Sequence, residues 1–65
     1  MSKYVGMTVN ERLYVSGLMD AFDRAVYNKD VKQIILILQK VELSEESIHP
    51  ILESLGLKEN DIDNN

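Results

Sequence analysis

Cysteine and tryptophan are absent from the 65-residue chain, and histidine occurs once. Without cysteine there are no disulfides and no thiolate metal sites. A lone histidine leaves no imidazole set for a metal within one chain. Glycine-rich phosphate loops are missing, in both the GxGxxG and the GxxxxGK[ST] form. So are the loop spacing of a calcium EF-hand and the Glu-x-x-His pairs of a di-iron bundle. The longest apolar run has five residues, Ile34 to Leu38, against the roughly 20 needed to span a bilayer. The first twelve residues, MSKYVGMTVNER, carry one lysine and no apolar core of signal-peptide length. These absences lead us to expect an intracellular, cytoplasmic chain that is not an enzyme, needs no cofactor and does not bind membranes.

Seven basic residues face eleven acidic ones, for a net charge of −4. That balance disfavours direct nucleic-acid binding, which needs clustered Lys and Arg. It serves solubility and would suit a basic partner surface. The length fits one domain, and a core this small supplies only about 3–5 kcal/mol of net stability. Oligomerisation is the stabilising device that the composition leaves open.

What is present reads as helix. "TVNE", Thr8 to Glu11, has the form of a capping box, with Asn10 as a competing cap. A helix is expected from about residue 9 to 28. On a helical wheel Tyr14, Val15, Leu18, Met19, Ala21, Phe22, Ala25 and Val26 share one apolar face. Gly17, Ala21 and Ala25 form a small-residue edge that suits close approach of another helix, although a merely tolerated glycine fits equally well. Asp30 is placed to cap a second helix over 31–41, with Gln33 at the third position. "QIILILQK" could be a buried strand, but Val31, Ile34, Ile35, Ile37, Leu38 and Val41 share one helical face, and only Leu36 leaves it. Ser44 caps a third helix over 45–55, with Glu45 and Glu46 in its first turn. Pro50 either kinks that helix or restarts it. Gly56 suits a left-handed C-terminal cap, and Leu57 is placed to touch Leu52 in a Schellman motif. The tail, 58–65, is polar and expected to be disordered. No internal repeat is evident.

The expectation is therefore an all-α, three-helix domain over residues 1–57. Its predicted core is Leu18, Phe22, Ala25, Ile34, Ile35, Leu38, Val41, Ile48, Ile51, Leu52 and Leu55. His49 has no oriented partner or nucleophile in sequence reach. Asp20, Asp23 and Glu11 read as a solvated helix face. Two candidate surfaces remain. Leu13, Tyr27 and Leu36 leave their helices' apolar faces and, with Gly17 and Ala21, could mark a homodimer interface. Glu42, Glu45, Glu46 and Glu53 could meet a basic protein partner.

Segments Asn10–Leu13, Gly17-Leu18, Phe22-Asp23 and Val41–Ser44 resemble a pattern in a group of short, uncharacterised bacterial helical proteins. That resemblance implies a bacterial cytoplasmic setting and no particular chemistry. The function expected is a non-enzymatic protein–protein interaction module, with a homodimer as one form. The alternative is a small acidic inhibitor or immunity-type protein that covers a basic active site.

Overall fold

The first helix starts where its capping box directs. The Thr8 hydroxyl accepts from the Glu11 amide at 3.2 Å, and the Glu11 carboxylate accepts from the Thr8 amide at 2.8 Å. This is seen in a computed structural model, which describes residues 3–57. Thr8, not Asn10, is the cap. Among the described residues there are four α-helices and no strand: α1 Val9–Ser16, α2 Met19–Tyr27, α3 Val31–Lys40 and α4 Glu45–Ser54.

The single helix expected over 9–28 is two helices. The break lies at Gly17, whose φ of 77° is left-handed. Its N–H bonds the Tyr14 carbonyl at 3.2 Å, and the Leu18 N–H reaches back to Leu13 at 3.0 Å. This is a Schellman ending, which satisfies carbonyls that the helix would otherwise leave bare. Gly17 therefore ends a helix instead of lying within one.

The same ending recurs after every helix. Leu18 bonds to Leu13, Asp30 to Ala25, Leu43 to Leu38 and Leu57 to Leu52, all between 2.9 and 3.1 Å. The residue just before each donor is left-handed: Gly17 and Gly56 at φ 77°, Lys29 at 55° and Glu42 at 67°. Each accepting residue, Leu13, Ala25, Leu38 and Leu52, is buried. A repeat does exist, then, in backbone geometry.

Asp30 and Ser44 cap α3 and α4, accepting from the Gln33 and Ser47 amides at 3.2 and 3.3 Å. α3 is helical through the whole five-residue apolar run. α4 passes through Pro50 without restarting. The tail at 58–65 lies outside the described residues.

Successive helices pack on one another, α1 on α2, α2 on α3 and α3 on α4. Leu13, Ile34, Ile37, Leu38, Val41, Ile48 and Leu52 are fully buried. Leu18, Phe22, Ile35 and Ile51 are half-buried against that core, and Leu57 closes it. Leu55, expected inside, is instead exposed at the end of α4. Tyr14 and Val15 are also exposed. The break at Gly17 explains these two, because a wheel drawn through 9–28 assumes one axis. With α1 on an axis of its own, Leu13 turns inward and its neighbours turn out.

The described lead-in to α1, residues 3–7, folds back on the helices as well. Met7 N–H bonds the Tyr4 carbonyl at 3.0 Å around Gly6, with φ 81°, as a type II turn requires. Tyr4 is buried. The Arg12 guanidinium sits 5.8 Å from its ring centroid. Arg12 also donates to the carbonyls of Met7 at 3.2 Å, Val41 at 2.9 Å and Glu42 at 3.3 Å. It ties the lead-in and α1 to the turn between α3 and α4.

Candidate functional site

The residues that the helix break turns outward line a groove. Met7 comes from the lead-in, Asn10, Glu11, Tyr14 and Val15 from α1, and Met19 from the first turn of α2. Its volume is about 420 Å³, and it is open to solvent. Tyr14 is 78% exposed and Val15 49%. The lining is largely apolar, with Asn10 and Glu11 as its polar members. The Glu11 carboxylate is already held by the Thr8 amide. Two unbranched methionine side chains make such a wall adaptable in shape.

The candidate interface residues are not gathered in this groove. Leu13 is fully buried at the centre of the core, so it cannot serve as an interface residue. Gly17 is exposed, but it caps α1, and no heavy atom lies within 4 Å of where its Cβ would be. No other helix of this chain packs against the small-residue edge at that point. Ala21 is half-buried and borders a second recess of about 180 Å³ with Arg24, Ala25, Asn28, Asp30 and Gln33. Tyr27 stands out at the end of α2, 87% exposed, and Leu36 on α3 is 44% exposed.

Glu42, Glu45, Glu46 and Glu53 are all exposed. Glu42 adopts its left-handed conformation while its carbonyl accepts from Arg12. Glu53 lies 3.3 Å from the His49 imidazole, one helical turn away. Among the described residues no group of three or more His, Cys, Asp or Glu side chains could hold a metal ion. No helix among them is long and apolar enough to cross a membrane.

The groove escapes a reading of the sequence because one long helix counts Tyr14, Val15 and Met19 into its core face. A signal is present all the same. Leu13 to Leu18 reads LYVSGL, and Leu52 to Leu57 reads LESLGL. Both have leucine, three residues, glycine and leucine, and the second is legible as a helix ending.

Comparison of the chain with protein-family models, curated proteins and solved structures finds no match.

Proposed function

We propose that the chain is a non-enzymatic binding module whose α1 groove receives apolar side chains from a helix of a protein partner. The observation that carries this reading is the exposed pair Tyr14 and Val15 beside Met7 and Met19. Tyrosine is favoured at protein interfaces because it offers a large apolar body and a polar tip. α1 has eight residues, about 12 Å of helix, which suits two turns of a partner helix bearing apolar residues at i and i+3 or i+4.

The test compares proteins retained by immobilised wild-type chain with those retained by Tyr14→Glu. The substitution is on the surface and should leave the stability within about 0.5 kcal/mol of wild type in a thermal melt. A prey kept by wild type, lost by Tyr14→Glu and crosslinked through a photoreactive residue at position 15 supports the groove. Identical prey sets from the two proteins would remove it.

The second reading, an acidic cover for a basic active site, draws on Glu45 and Glu46, which are exposed and form no ion pair among the described residues. It expects a basic nuclease or another nucleic-acid enzyme as prey, retained by wild type and by Tyr14→Glu alike and released by Glu45→Lys with Glu46→Lys.

A further inference from the structure

Charge is divided between two helices that touch. From Val31 to Val41 there are two lysines and no carboxylate; from Glu42 to Leu57 there are four carboxylates and no lysine or arginine. Lys32, Leu36 and Lys40 are exposed on α3 at successive four-residue steps, which puts them in one stripe. Glu46, Pro50 and Glu53 are exposed on α4 at steps of four and three, which makes a second stripe. Each stripe has an apolar centre between two like charges. At 1.5 Å per residue the lysines are about 12 Å apart along the axis and the glutamates about 10.5 Å. The two stripes are therefore opposite in sign and alike in spacing and in their apolar centre.

They do not meet within the chain. Among the described residues no ion pair joins the α3 lysines to the α4 carboxylates, and Glu53 has His49 as its neighbour on the same helix. We infer that the stripes pair between two copies of this chain, with α3 of one copy on α4 of the other and the reverse by two-fold symmetry. An isologous arrangement makes both contacts at once. Leu36 then packs against the second copy's proline, flanked by a lysine–glutamate pair on each side. The surface is separate from the α1 groove and does not depend on it.

Size sets the strength. Two ten-residue helices, each about 15 Å long and about 10 Å apart, offer a footprint of about 300 Å². Stable complexes bury about 800 Å² per partner. The self-association is accordingly weak and sensitive to salt.

Light scattering and sedimentation over a dilution series test it. In low salt the apparent mass should rise from the monomer's 7.4 kDa toward twice that value as concentration approaches about 1 mM. It should fall back in about 0.5 M salt. Lys32→Glu with Lys40→Glu, and separately Glu46→Lys with Glu53→Lys, should each give a monomer with an unchanged helical circular-dichroism spectrum. An equimolar mixture of the two should associate again, because each reversed stripe then faces its opposite. Loss of fold cannot produce that rescue. A wild-type chain that stays monomeric throughout overturns the inference. So do folded reversed variants that associate like wild type, or a mixture that stays monomeric. Association abolished by Tyr14→Glu but indifferent to both reversals would place the contact on α1 and overturn it equally.

Discussion

Gly17, Lys29, Glu42 and Gly56 hold equivalent places after the four helices, and each has positive φ. The left-handed conformation costs an L-residue about 1–2 kcal/mol, and glycine avoids this cost. No heavy atom lies within 4 Å of the point a Cβ on Gly17 would occupy, so steric crowding plays no part there. Gly17→Ala should lower unfolding stability by about 1 kcal/mol through the backbone alone. Lys29→Gly and Glu42→Gly should each raise it by about 0.5–1 kcal/mol. Urea unfolding with an unchanged slope checks all three. If Gly17→Ala were neutral, the chain would have another way of ending α1.

At the scale of the helix, the caps are the most legible part of the sequence. Thr8, Asp30 and Ser44 start helices, and Gly56 ends one with Leu57 against the core. A cap is a local contract between residues three to five apart, so spacing alone exposes it. Axis direction is different. A wheel for 9–28 is internally consistent, and an eight-residue helix can be absorbed into a longer one without any visible clash. Glu42 is harder still, because VEL gives no glycine to mark the left-handed turn. Burial depends on the axes: Leu13 turns inward once α1 is separate, and Leu55, past the last turn of α4, is left outside. Leu13→Ala should therefore cost about 2–5 kcal/mol, as emptying a closed core position does. Leu55→Ala, at a site 36% exposed, should cost less than about 1 kcal/mol. Thermal melts of the two variants decide between the two cores, and the one drawn from helical wheels requires Leu55→Ala to be severe.

For the whole molecule the constraint is size. With no disulfide and a core of this extent, total stability is a few kcal/mol, so every apolar side chain left outside matters. The groove on α1 and the stripe on α3 leave Tyr14, Val15 and Leu36 in water. Neither site can be read from composition. Net charge is a sum, and it hides the fact that the basic residues of α3 and the acidic residues of α4 lie on separate helices. Surface location depends on how four helices are turned, and that is decided by contacts between residues far apart in sequence.

One of those distant contacts is the Arg12 guanidinium, which reaches the Val41 carbonyl across 29 residues and the Glu42 carbonyl across 30. Every helix start and end described above is closed by bonds spanning a few residues, so most native structure can form before distant parts of the chain meet. A topology dominated by local contacts folds on the microsecond-to-millisecond scale. Because long loops cost more entropy to close, we expect the Arg12 bonds to form late in that sequence of events. Arg12→Ala should then lose about 2–3 kcal/mol, since hydrogen bonds from a charged donor contribute about 1.5–3 kcal/mol each and overlap here. Nearly all of that loss should appear as faster unfolding, with the refolding arm of the chevron scarcely moved. On that outcome Arg12 is a latch, governing how long the folded chain stays shut more than how quickly it closes.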